Sequence, residues 1–260
     1  MRCKTIATGL LGIVVICTAV GFLAVWVGGL PGPRHGAYLA IASLHNIYED
    51  LREYDQARGR LPPATALDAE SGKESSWRIE VYQTCLHHGA IASPSQDGNA
   101  STGYDYRKAW NDPANLRLQD FGARLFSYTQ DDVSTERTSG RFGINTTYYK
   151  AITGPDTAFD SARQVSLKQL SKNLILVMRV ERSDTHWMEP GDLKVEQLRP
   201  SEETKGLLLG KDGYVLLFAD GKGWVLSGET PISDLCKFFT VTNANQLDRE
   251  EVLGRYRILP

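Results

Sequence analysis

Apolar residues fall along this chain in three textures, and each predicts a different kind of element. Between residues 5 and 30 no charged residue occurs, and the stretch GLLGIVVICTAVGFLAVWVGG is dense in Leu, Ile, Val, Ala and Gly. At about 1.5 Å per helical residue, such a run crosses a hydrocarbon core of about 30 Å. It reads as a transmembrane helix. Over residues 34–58 the pattern turns amphipathic: Ala37, Ile41, Leu44, Tyr48 and Leu51 recur at three- and four-residue steps, with Glu49, Asp50, Arg52 and Glu53 largely between them. Pro31-Gly32-Pro33 separates this helix from the apolar run, and Gly59 with Pro62-Pro63 ends it.

Beyond Pro63 the apolar runs shorten. They fall at residues 77–82, 125–128, 146–152, 174–180, 207–209, 214–218 and 224–226, punctuated by Gly, Pro, Asn and Asp. This texture predicts strands and loops with mainly antiparallel pairing. Residues 92–102 and 130–141 read as polar loops. The expected fold class is α+β: an N-terminal transmembrane helix, then an amphipathic juxtamembrane helix packed on a mainly antiparallel β domain. The chain divides accordingly into a short tail at 1–4, an anchor at 5–30 and an extracytoplasmic domain at 34–260.

One turn is specified closely. Val215 to Phe218 and Trp224 to Leu226 flank Ala219-Asp220-Gly221-Lys222-Gly223. Asp and Gly tolerate the positive φ that tight hairpins demand, so Asp220 and Gly221 are expected to form a structural turn rather than a reactive site. In that role the Asp220 side chain mainly caps local amides, and Asp220→Asn should be nearly silent.

Charge sets the orientation and narrows the partners. Arg2, Lys4 and the terminal amine precede the span, against Arg34 after it, which places the N-terminus in the cytoplasm and the large domain outside the inner membrane. Cleavage near Val27-Gly28-Gly29 is a minority alternative, because the run is long for a signal peptide and Trp26 stands where a small residue is wanted. A formal net charge of -2 shows no basic excess, so a broad nucleic-acid surface is not expected. The partners expected are the lipid bilayer, through residues 5–30, and a protein of the envelope. Of the four cysteines, Cys85 and Cys236 lie in the exported part. A disulfide between them and two half-buried thiols are equal alternatives.

Candidate chemistry is thin. Asp184-Thr185-His186-Trp187-Met188-Glu189 gathers acid and imidazole groups, but in no metal-ligand spacing, and it reads as a polar loop. His87 and His88, taken as neighbours on a strand, would point to opposite faces, and His35 and His45 do not share a helix face. No G-x-S-x-G occurs, and GLLLGKDG lacks the phosphate-loop spacing. Trp77, Trp110, Trp187, Trp224, Tyr104, Tyr106, Tyr148 and Tyr149 are expected chiefly in cores and hairpin faces. No catalytic residue, metal site or cofactor is expected.

Taken in order, LPPA (61–64), SWR (76–78), TGPDTAF (153–159), SKNLILVMRV (171–180), WMEPGDL (187–193) and VLLFADGK (215–222) span nearly the whole chain after the two helices. This ordered set resembles the planctomycete pilin-like family known as domain of unknown function 1559. The resemblance implies a pilin-like fold and a structural, assembly or surface-interaction role without catalysis. The chain departs from that family in two places: no Phe-Thr-Leu precedes the apolar run and no Glu lies within it, and Gly210 stands where the family's His precedes Asp-Gly by nine residues. A tethered extracytoplasmic solute- or glycan-binding module is the alternative.

Overall fold

The amphipathic pattern after the prolines becomes helix α1, His35–Arg58, whose continuous buried stripe is Ala37, Ala40, Leu44, Ile47, Leu51 and Tyr54. Ala37, Leu44 and Leu51, expected on the apolar face, are buried. Ile41 and Tyr48 sit instead at the stripe's edge, only partly covered. The reason is geometric: the i+3 and i+4 rows of a helix are both apolar here, and only the docked sheet decides which becomes the centre. Gly59 ends α1 in the left-handed region (φ 70°), donating its N–H to the Asp55 carbonyl at 2.8 Å.

A computed structural model of the chain describes residues 35–87, 103–126 and 143–259. The predicted tail and span at 1–30, and the loops at 92–102 and 130–141, lie outside those residues. Among the described residues no helix is long and apolar enough to cross a membrane. Gly36–Pro260 form one compact unit.

After α1 come the two-stranded ribbon β1 (Thr65–Leu67) and β2 (Glu74–Ser76), then α2 (Trp77–His87), α3 (Pro113–Leu116) and α4 (Gln119–Phe126). The main sheet follows: β3 (Tyr149–Thr153), β4 (Ile175–Arg179), β5 (Leu193–Lys194), β6 (Tyr214–Phe218), β7 (Gly223–Leu226) and β8 (Arg257–Leu259). Its order is β5-β3-β4-β6-β7-β8. Neighbours run antiparallel except β3 with β5, which makes the sheet mixed. Between β5 and β6 lies α5 (Glu202–Leu208), and between β7 and β8 lie α6 (Ile232–Cys236), α7 (Val241–Gln246) and α8 (Arg249–Leu253).

Both faces of the sheet are covered, so β3, β4 and β6 are buried along their whole length. Ala151, Val177, Val215, Leu217 and Val225 share one core with α1 and α2. Ile152, Met178, Leu216, Phe218 and Trp224 share a second with Leu208, Leu235, Phe238 and Leu253. The fold class is thus α+β with helices on two sides, where the sequence pattern predicts only the juxtamembrane helix.

Three expected strands are helical. Residues 77–82 open α2, residues 207–208 close α5, and Leu125 and Phe126 end α4. In α2 the residues Trp77, Ile79, Val81 and Tyr82 favour strands by type, and burial of 77–79 and 81–85 removes the polar stripe that would mark a helix. His87 therefore ends a helix, and the strand geometry assumed for His87 and His88 does not apply; His88 lies outside the described residues.

Candidate functional site

Asp220 and Gly221 occupy the turn joining β6 to β7, closed by Phe218 N–H to Lys222 O (3.0 Å) and Gly221 N–H to Phe218 O (3.0 Å). Gly221 has φ 83°, and a Cβ there would lie 2.6 Å from the Tyr48 ring. Asp220 Oδ1 accepts the Lys222 N–H at 3.2 Å, a local cap. Its larger role is remote: Arg249, nearly buried on α8, donates to both carboxylate oxygens (2.9 and 2.6 Å) and to the Lys172 carbonyl (2.5 Å). The guanidinium also stacks 4.3 Å above Phe218 and 5.1 Å from Trp224. Burial alone would raise the Asp220 pKa, but the Arg249 hydrogen bonds and charge, with the Lys222 amide, outweigh it and hold the carboxyl below its usual value.

The expectation of a silent Asp220→Asn is thereby corrected. The amide keeps the cap but strips a buried Arg of its charge partner, and a loss of about 2 kcal/mol is expected. Gly221→Val should lose more than the roughly 1 to 2 kcal/mol set by the left-handed backbone, because Tyr48 closes the space. Thermal unfolding of both variants checks this, and an unchanged melting temperature for Asp220→Asn would contradict the ion pair. The pair's contribution is full above the unfolded value of 3.8 and fades as the pH falls through the lower folded value.

A second charged junction joins distant motifs. Arg78, fully buried at the start of α2, donates Nη2 to Asp192 Oδ1 (2.6 Å) and to the Tyr149 carbonyl (3.0 Å). Asp192 Oδ1 also accepts the Trp77 indole N–H (3.2 Å) and the Ala151 N–H of β3 (2.8 Å). Ser76 Oγ donates to the Trp187 carbonyl at 3.3 Å. The SWR and WMEPGDL stretches are thus two halves of one junction, holding α2 and the segment before β5 against β3.

Beside that junction opens a cleft of about 680 Å³, whose wall includes Lys150, Thr185, Gly191 and Asp192. Lys150 sits on β3 and retains 8% of its exposure. Its Nζ donates to Thr185 Oγ1 (2.5 Å) and the Gly191 carbonyl (2.6 Å). Burial, and next the Arg78 charge, push its pKa down from 10.5 to about 8, against the smaller opposing effect of the Asp192, Glu189 and Asp184 carboxylates. No family model, curated protein or solved structure matches the chain, so the reading of this cleft rests on its geometry.

The lowered lysine has a consequence for stability. Between pH 8 and 10.5 the unfolded chain holds the Lys150 proton more tightly than the native one, so this residue's contribution rises with pH across that window. Below it the buried charge costs up to about 3 kcal/mol. Lys150→Met is expected to stabilise the protein at pH 7, with the gain shrinking toward pH 10.5. Paired urea titrations at several pH values measure that difference.

The polar stretch singled out in the sequence divides at this cleft. Asp184 and Thr185 line it, whereas His186, Trp187 and Met188 turn into the core. Burial pushes the His186 pKa down to about 4, so its ring is neutral, stacked on Trp110 at 5.1 Å and accepting the Met188 N–H at Nδ1. Among the described residues no group of three or more His, Cys, Asp or Glu side chains is placed to hold a metal ion. Cys85 and Cys236 are free thiols in the two cores on opposite faces of the sheet. None of the highlighted aromatic residues lines the cleft; Trp77, Trp187 and Trp224 are buried.

Lys150 itself passed unnoticed in the sequence. Its signal is a single charge inside the run TTYYKAI, a strand whose other positions are apolar or hydroxylic.

Proposed function

We propose that this protein is a membrane-anchored, pilin-like extracytoplasmic protein with a structural, assembly or surface-interaction role, held in the bilayer by residues 5–30 and engaging a protein partner in the envelope. The observation that carries this reading is α1. It begins soon after the apolar run in sequence and buries a continuous stripe in the core it shares with the sheet, which is the packing expected of the amphipathic helix that follows an anchor. The ordered motifs of the resembled family add support, because SWR and WMEPGDL join in one core junction and VLLFADGK supplies most of β6 and the turn into β7.

In cells expressing the full chain, the protein should resist alkaline extraction from membranes, and protease added to intact spheroplasts should digest the large domain. Mild crosslinking should then yield a defined envelope partner. A carbonate-soluble protein, or a domain digested only after lysis, would overturn the anchoring and orientation. A tethered solute-binding module is the second reading, favoured by the Lys150 cleft.

A further inference from the structure

Lys150 is a buried cation held by neutral groups. Two of its ammonium protons go to neutral acceptors, the Thr185 hydroxyl and the Gly191 carbonyl. Among the described residues no carboxylate stands at ion-pair distance from it. Asp192, in the same wall, is committed to Arg78, Trp77 and Ala151. Among the described residues the third ammonium proton therefore has no acceptor, although the group carries three donors. A buried charge in that state is costly unless something supplies the counter-charge.

The surrounding charges limit what that something is. Of the other charged residues in the described wall, Arg182, Asp184, Lys194 and Glu203 are exposed, and Asp192 is paired with Arg78, so Lys150 is the buried charge of the wall with no ion pair among the described residues. We propose that the cleft binds a small monocarboxylate, whose carboxylate accepts the third Lys150 hydrogen bond while its hydroxyl or ammonium groups meet Asp184 and Glu203. The volume suits a ligand of sugar or amino-acid size. With no aromatic ring among the described residues of the wall, hydrogen bonds and charge hold it, not stacking. This inference rests on the second reading above and is independent of the anchor.

Calorimetric titration of the full chain in detergent micelles, with glucuronate, alanine, glucose and inorganic phosphate as probes, tests it. Glucuronate or alanine should bind, which one distinguishing an acidic sugar from an amino acid, and glucose should not. Lys150→Met should weaken that binding at least tenfold. As an independent measure on the unaltered protein, the binding carboxylate should slow acylation of Lys150 by an N-hydroxysuccinimide ester severalfold, read by peptide mass. Glucose binding as well as glucuronate, unaffected by Lys150→Met, would overturn the carboxylate site and leave a neutral-solute cleft standing. Phosphate binding more tightly than either carboxylate would overturn the ligand class. Absence of binding by all four probes, with no protection of Lys150, would overturn both this site and the solute-binding reading.

Discussion

Asp192→Ala is expected to remove about 3–5 kcal/mol of unfolding free energy, the scale for breaking a buried ion pair by deleting one partner. Arg78 has no exposed surface to which its charge could turn, and the same substitution takes the acceptor from the Trp77 indole and the Ala151 amide. In a domain whose whole stability is of order 5–15 kcal/mol, that is a large share of the total. Urea unfolding should show a lowered midpoint with an unchanged slope. Replacing both partners, as Arg78→Met with Asp192→Leu, should cost less than Asp192→Ala alone, because no charge is then left buried. A double variant as unstable as the single one would show that the junction acts by shape and not by charge.

Gly122→Ala should destabilise by about 3 kcal/mol, although the same change in an exposed helix ordinarily gains about 1 kcal/mol. Gly122 lies in α4 directly beneath Trp187, and an added Cβ would stand inside the van der Waals envelope of the six-membered part of the indole ring. That ring is fully buried, fixed by its N–H to the Gln119 carbonyl (2.8 Å) and packed against Tyr82 and Phe126. It has nowhere to retreat. Trp187→Phe shortens the side chain at the point of contact, so the cost of Gly122→Ala should fall in that background, a coupling a double-mutant cycle measures. A neutral or stabilising Gly122→Ala in the original protein would mean that Trp187 does not rest on this helix.

The two junctions show why the cleft was illegible in the sequence. Arg78 and Asp192 are separated by 114 positions and Lys150 and Gly191 by 41. Each residue alone reads as a surface charge or a loop glycine. Only when β3 pairs in parallel with β5 does the segment 184–192 come to rest over Lys150. Asp220 illustrates the same limit in one residue: its place in a turn was evident from its neighbours, its ion pair with a helix 29 positions on was not.

What the sequence determined by itself is therefore local. Period and punctuation placed α1 and its glycine stop, the apolar cores of β3, β4, β6 and β7, and the Asp220-Gly221 turn, because each depends on the conformational preferences of a few consecutive residues. Tertiary structure decided the rest. It made residues 77–87 a helix against their strand-like composition, since burial on nearly every side outweighs propensity and erases the polar stripe. It placed free Cys85 and Cys236 on opposite faces of one sheet, and it chose Ala40, Ile47 and Tyr54 over Ile41 and Tyr48 as the centre of the α1 stripe. It also buried Lys150 beside an aspartate already engaged, because the charge balance of an interior depends on which chains meet there, and spacing along the chain carries no record of that.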